Sequence, residues 1–188
     1  MKPVVYVRHP DIRGTKTYQD VISNVLKQRL REGEVKKEWC IGAGASDIFS
    51  YKHIYRPRVD IAVGPFNIHI ADNHLINMGF IKNTPLLIKL FQAKGRELDV
   101  SLLNKNPRCL LAIELLFSGS SKHMLGDFAN ASMMGLAGVI VTSKRNYKKV
   151  ARLAKYLEYV QQLGKAPVGL FSNVLVFEAD EFLEVISK

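Results

Sequence analysis

The 188-residue sequence has only two cysteines, Cys40 and Cys109, and no apolar run near the roughly 20 residues needed to cross a bilayer. Two cysteines supply neither a four-cysteine metal site nor a disulfide framework. The polar N-terminal segment MKPVVYVRHPDIRG lacks the apolar core of a secretory signal peptide. Together with the chain length, these absences predict a single cytoplasmic domain without a membrane span.

Several common catalytic and nucleotide-binding motifs are also missing. The glycines of GAGAS are not followed by the Lys-Ser/Thr pair of a P-loop, and neither SGSS nor MGLAG matches the dinucleotide motif G-x-G-x-x-G. There is no G-x-S-x-G for a serine hydrolase, and the five histidines form no H-E-x-x-H zinc pair. A flavodoxin-like or Rossmann-like protein with a small ligand fits the order of elements over 110–177, but the missing motifs argue against it.

The sequence is rich in positive charge. It contains 27 Lys and Arg against 17 Asp and Glu, a formal net charge of +10. Such a surplus favours polyanionic partners, because cationic side chains displace the counterions that surround phosphates. Charge alone indicates a nucleic-acid partner without establishing one, since basic proteins also exist that bind no nucleic acid.

Hydrophobic patterning predicts an α/β fold with one domain over 1–188. Strand and helix signals alternate over 110–177, which implies right-handed crossovers and a mixed, largely parallel central sheet flanked by helices. Residues 66–107 form an insertion that contains one helix after Pro85, preceded by a segment that fits either a strand or a loop. The predicted strands are VKKEWCI, RVDIAVG, CLLAIELLF, AGVIVTS and VLVFE, and the other predicted helices lie in TKTYQDVISNVLKQRLREG, SKHMLGDFANASMM, YKKVARLAKYLEYVQQLG and DEFLEVIS.

Two acidic residues lie inside these apolar strands, Asp60 in RVDIAVG and Glu114 in LAIELLF. A carboxylate there is costly unless it reaches water at a strand end or pairs with a buried arginine, and either explanation would serve for one acid alone. Carboxylates that converge on neighbouring strands repel each other unless a cation lies between them. Oxygen ligands with water suit a magnesium ion. The pair therefore predicts a metal site formed by Asp60 and Glu114.

The succession of a helix, a strand, the RVD strand, the IE strand and a helical crossover resembles the PD-(D/E)XK nucleases, which have the restriction-endonuclease-like fold. The resemblance covers residues 16–177, with 66–107 inserted between the two motif strands. It implies that Asp60 and Glu114 are the strand acids, that Mg²⁺ or Mn²⁺ is the cofactor, and that the chain is an endonuclease, with DNA favoured over RNA. Because duplex cleavage by this fold commonly uses two active sites, it also implies a homodimer. The alternative is a nucleic-acid-binding module that keeps the fold and has lost the chemistry.

The sequence departs from that family at the motif lysine, because Leu116 stands two residues after Glu114. Lys122 is the nearest replacement, in the first turn of a helix that Ser120 or Ser121 can cap. A helix N-terminus disfavours a lysine unless an anion is nearby, and its free amides themselves suit a phosphate. We therefore expect Lys122 to be catalytic, and His123 beside it to contact nucleic acid.

Two other features of the helices bear on the site. The family often places a Glu or Gln of its first helix near the metal, and Gln19 matches that position best, with Asp20 and Glu38 as alternatives. An amide is a weak magnesium ligand, so Gln19 is expected to position a water molecule. In the helix that carries Lys122, small residues such as Gly126 predict close packing on the sheet, and Asp127 and Asn130 share a face.

The remaining basic residues suggest a nucleic-acid surface. Arg56 and Arg58 flank the start of the Asp60 strand, and a basic helix follows the strand AGVIVTS. Cations on its broad face would track the phosphate backbone, which carries no sequence information. Base recognition would use polar residues of the insertion, Asn67, His69, Asn73, His74 and Asn77. The basic residues of the helix are Lys144, Arg145, Lys148, Lys149, Arg152 and Lys155.

Overall fold

Five strands form one mixed sheet whose order in space follows the order of the chain, β1-β2-β3-β4-β5. β1 pairs antiparallel with β2 and β2 antiparallel with β3, whereas β3–β4 and β4–β5 are parallel. The computed structural model describes residues 15–30, 34–41, 56–67, 70–165 and 169–188. The strands are β1 (Val35–Cys40), β2 (Arg58–Phe66), β3 (Cys109–Leu116), β4 (Gly135–Thr142) and β5 (Val174–Glu178).

The sheet confirms the predicted α/β class and the mixed sheet flanked by helices, but half of its pairings are antiparallel, so it is not largely parallel. The reason lies in the segment between β2 and β3. Phe66 at the end of β2 pairs with Cys109 at the start of β3, and the Asn67 amide donates to the Arg108 carbonyl at 2.9 Å. The intervening segment therefore returns the chain to the sheet end that it left, and β3 must run opposite to β2.

Helices cover both faces of the sheet. The larger apolar cluster joins one face to α1, α2 and α5, and the smaller cluster joins the other face to α3 and α4. Among the helices of the described residues, none combines the length and the apolar character that a membrane crossing requires. The helices are α1 (Thr15–Arg29), α2 (Asn73–Ala93), α3 (Ser121–Met134), α4 (Lys144–Gln162) and α5 (Ala179–Ser187), with short 3-10 turns at Ile70–Asp72 and Val100–Leu102.

The predicted insertion is mainly the 21-residue helix α2, which begins twelve residues before Pro85 rather than after it. Pro85 has no N–H for the helical ladder. Near this interruption, the Asn83 side chain donates to the Gly79 carbonyl at 3.0 Å. Leu87 and Leu90 beyond the proline are fully buried against the sheet, and this packing holds the helix together across it.

Helix α3 packs closely on β4, as its small residues predicted. Not every one of these small residues lies in the contact. A Cβ added to Gly138 would lie 2.8 Å from the Ala131 carbonyl oxygen, so only glycine fits beneath α3 at this point. A Cβ added to Gly126 would meet nothing within 4 Å. The expectation that Gly126 faces the sheet was therefore wrong, and it lies on the open side of α3.

Candidate active site

The two strand acids meet across neighbouring strands. Ile61 pairs with Ile113, so Asp60 of β2 and Glu114 of β3 come next to each other in the antiparallel register. The Leu115 amide donates to Asp60 Oδ2 at 2.7 Å, and the Asp60 amide donates to Glu114 Oε2 at 3.3 Å. Each carboxylate is thus held by the backbone of the other strand. These bonds fix both side chains at the end of the sheet where β3 ends and β2 begins.

Glu114 is the most buried acid of the pair, with only 4% of its surface exposed. Its Oε1 atom has no hydrogen-bond partner among the described residues. Burial, together with the nearby charges of Asp60 and Asp127, raises the pKa of Glu114 to about 9. In the absence of a cation this carboxyl group is therefore protonated at neutral pH.

Asp60 is half-buried, and burial raises its pKa as well. The hydrogen bond from the Leu115 amide opposes that shift, whereas the charge of Glu38 adds to it. The site thus concentrates negative charge that protons or a cation must neutralise.

Asp127 of α3 is a third member of this acidic cluster, and the sequence analysis did not assign it to the site. Its side chain is half-buried, and burial, followed by the charge of Asp60, raises its pKa to about 6. One turn further along α3, Asn130 Nδ2 donates to the Arg58 carbonyl at 3.3 Å and ties this part of the helix to the start of β2. The spacing of Asp127 and Asn130 was the available signal, because their shared face is the one that turns toward the two strand acids.

Gln19 reaches the site from α1 and is buried. Its Nε2 donates to the Asp60 carbonyl at 2.7 Å and to Glu38 Oε1 at 2.9 Å, so both amide hydrogens are used and only its Oε1 atom is left for a water molecule. Glu38 and Asp20, the two alternatives to Gln19, lie in different surroundings. Glu38 lies beside Asp60 and pairs with Arg58 at 3.4 Å, whereas Asp20 pairs with Lys37 at 2.5 Å.

Lys122 lies in the first turn of α3, as predicted, but its side chain is exposed. Within the described residues it forms no hydrogen bond or ion pair with Asp60 or Glu114. His123 is also exposed and its Nδ1 lies 2.9 Å from Ser120 Oγ, the N-cap of the helix. Leu116, two residues after Glu114, is buried among the side chains beneath α3 and α4.

The donor set fits a magnesium ion held by few protein ligands. Within the residues that the structure describes, no group of three or more His, Cys, Asp or Glu side chains is arranged to hold a metal ion. Mg²⁺ is commonly bound by one or two carboxylates, with water and substrate phosphates completing its shell. Asp60 and Glu114 meet that requirement, and the unpartnered Oε1 of Glu114 is the atom that a cation would engage.

The predicted nucleic-acid residues form two groups. Arg56 and Arg58 are exposed at the start of β2, with Arg58 engaged by Glu38. On α4, Lys149 Nζ donates to the Gly119 carbonyl at 3.1 Å, while Val150 and Leu157 are buried on the opposite side of the helix. The other predicted cations of this helix are exposed: Lys144, Arg145, Lys148, Arg152 and Lys155.

Two of the polar residues assigned to base recognition, Asn67 and Asn73, are hydrogen-bonded to each other. Asn67 is buried, donates to Asn73 Oδ1 at 2.5 Å and accepts a hydrogen bond from Arg108 at 3.2 Å. His74 Nδ1 lies 3.3 Å from the Ala71 carbonyl, and Asn77 is exposed. His69 lies outside the described residues.

Comparison of the chain with family models, curated proteins and solved structures finds no match. The functional assignment therefore depends on the site itself.

Proposed function

We propose that this chain is a divalent-cation-dependent nuclease of the PD-(D/E)XK type that hydrolyses phosphodiester bonds in nucleic acid, with DNA favoured. The observation that carries the proposal is Glu114, a buried carboxyl group with an unpartnered oxygen, held against Asp60 on the neighbouring strand. The order of helix α1, strands β1 to β3, helix α3 and strand β4 is also the order on which the family resemblance rests.

Asp60 and Glu114 are the residues that would hold the cation. When bound, Mg²⁺ or Mn²⁺ supplies a water molecule of lowered pKa and neutralises charge on the phosphate. Gln19 fixes the Asp60 strand through its backbone carbonyl, and so holds the Asp60 carboxylate in place for that task. Lys122 and the free amides at the start of α3 attract the phosphate group toward the same strand end.

The test is cleavage of DNA and RNA substrates, single-stranded and duplex, with Mg²⁺ or Mn²⁺. Glu114→Gln and Asp60→Asn should each lower cleavage by at least about 100-fold, the scale of losing one preorganised electrostatic group. Glu158→Gln is the matched control, because Glu158 is an exposed acid on α4. Lys122→Ala tests the displaced lysine separately. Cleavage that persists in both acid variants would exclude this site.

An inactive nucleic-acid-binding module is the second candidate. It is favoured by the buried Leu116 at the position of the family's lysine and by the absence, among the described residues, of a contact between Lys122 and the two strand acids. Binding of nucleic acid without cleavage under any metal condition would select this alternative.

A further inference from the structure

The exposed face of α4 carries aromatic rings as well as cations. Lys148, Arg152, Lys155, Tyr156 and Tyr159 recur at steps of four, three, one and three residues, so they lie along one side of the helix. Tyr156 is 59% exposed and Tyr159 is 57% exposed. Leu163, directly after the helix, continues the same side.

The two tyrosine rings lie outside the buried side of α4. The helix packs on the sheet through its other side, where Val150 and Leu157 are buried. Within the described residues, the side chains of Tyr156 and Tyr159 have no ring contact and no hydrogen bond. Two adjacent unpartnered aromatic rings on a surface indicate a contact site, because tyrosine otherwise buries its ring and leaves only its hydroxyl in water.

Helix α4 is fixed to the strand that carries Glu114. Asn146 Nδ2 donates to the Phe117 carbonyl at 2.6 Å, and Lys149 Nζ donates to the Gly119 carbonyl, so the first turns of α4 lie beside the segment that follows β3. From Lys148 to Tyr159 the helix rises about 16 Å at 1.5 Å per residue. The cations of this face therefore begin near the candidate active site, and the tyrosines lie further from it.

We propose that this face of α4 binds single-stranded nucleic acid, with phosphates on Lys148, Arg152 and Lys155 and bases stacked on Tyr156 and Tyr159. The inference rests on the proposed function for its nucleic-acid partner and adds the class of substrate. Stacking on a side chain requires an unpaired base with an open face, which a duplex does not offer. The cations also argue against a second copy of the chain as the partner, since two identical basic faces would repel each other.

The experiment measures binding by fluorescence anisotropy in EDTA, so that no cleavage occurs. The probes are a labelled 20-nucleotide single strand of mixed sequence and the duplex that it forms with its complement. Tyr156→Ala and Tyr159→Ala should each weaken single-strand binding by about 5- to 150-fold, the range for loss of one base–aromatic stack. Tyr156→Phe and Tyr159→Phe are the matched controls, because phenylalanine keeps the ring. They should bind within about twofold of the wild type.

Duplex binding should be unchanged by all four variants, which separates stacking from a general loss of folding. Equal single-strand binding by the alanine variants and the wild type would overturn the inference, as would an equal loss on both probes. A wild-type protein that binds neither probe would overturn the nucleic-acid partner, and the proposed function with it. Single-strand binding that depends on the tyrosines in a protein that cleaves nothing would uphold the inference and overturn only the nuclease chemistry.

Discussion

At the scale of single residues, Glu114 occupies a position that an isolated carboxylate would not tolerate. It lies in the middle layer of the protein, its Oε2 atom accepts a long backbone hydrogen bond, and its Oε1 atom has no hydrogen-bond partner among the described residues. Binding of either a proton or a cation neutralises this buried carboxylate, and the two compete for the same oxygen atoms. The free energy of unfolding should therefore depend both on pH and on the concentration of the cation.

We expect the pH dependence of unfolding to reveal the buried Glu114. Its pKa is about 9 in the folded protein and close to the ordinary value of 4.5 when unfolded. Between these values the folded state binds more protons than the unfolded state, so the free energy of unfolding falls as pH rises. Glu114→Gln cannot titrate, and at pH 8 in EDTA it should unfold at least about 2–4 °C above the wild type, equivalent to about 1 kcal/mol.

Thermal unfolding followed by circular dichroism from pH 5 to pH 8.5 checks this expectation. The two proteins should converge toward pH 5, because Glu114 is then protonated in the folded state and partly protonated in the unfolded state. Added Mg²⁺ should raise the unfolding temperature of the wild type at pH 8 and leave Glu114→Gln unchanged. Parallel curves for the two proteins across the whole pH range would contradict the buried, proton-binding carboxyl group.

Sequence reasoning brought Asp60 and Glu114 together because strand periodicity and chain order place them on adjacent strands. It missed Asp127 as a member of the site, because the direction of a helical side chain depends on how the helix rotates against the sheet. The hydrogen bond between Asn67 and Asn73 was also not predicted, since nothing in a polar pattern shows that two amides will bond to each other. Side-chain partners that are distant in sequence require the packed structure.

At the scale of elements, the distance between α3 and β4 depends on one glycine. Gly138→Ala would place a methyl group 2.8 Å from the backbone oxygen of Ala131, so the helix or the strand must shift. We expect a loss of about 1–3 kcal/mol in the free energy of unfolding, the usual cost of overpacking. Because α3 also carries Asp127, the variant should weaken the candidate active site as well.

Gly126→Ala is the matched control, since it makes the same substitution in α3 where the added methyl group meets nothing. It should raise the free energy of unfolding by about 0.5–1 kcal/mol, because alanine favours a helix interior over glycine. Urea unfolding of the two variants measures both effects. Changes of the same sign would show that Gly138 is not in close contact with α3.

The elements themselves were largely predictable, except for the start of α2 and the direction of β3. Strands such as CLLAIELLF and the amphipathic α4 have strong periodic signals, and the structure places both where the patterns predict them. The start of α2 was misplaced because a proline is typical of a first helical turn, whereas Pro85 lies inside this helix. The direction of β3 was also unpredictable, because it depends on where the intervening helix returns the chain.

At the scale of the whole molecule, the net charge of +10 should make nucleic-acid binding strongly dependent on salt. The Lys148→Gln, Arg152→Gln double variant should reduce the slope of log K against log salt concentration by about 0.7 for each lost phosphate contact on single-stranded DNA. Lys89→Gln is the control, because Lys89 is exposed on α2 over the other face of the sheet. Titrations from 50 to 300 mM salt, about the range in which such slopes are measured, test this. An unchanged slope in the double variant would exclude α4 as the phosphate-binding surface.

The sheet order β1-β2-β3-β4-β5 has a consequence for how the chain is made. Each strand pairs with the one synthesised just before it, so the sheet can grow from one edge as the polypeptide leaves the ribosome. A contact between elements that are distant in the chain must form later: α1 packs against α5, and Arg29 of α1 donates to the carbonyl of Ser187. Helix α1 therefore acquires this partner only after the five strands and α5 have been synthesised.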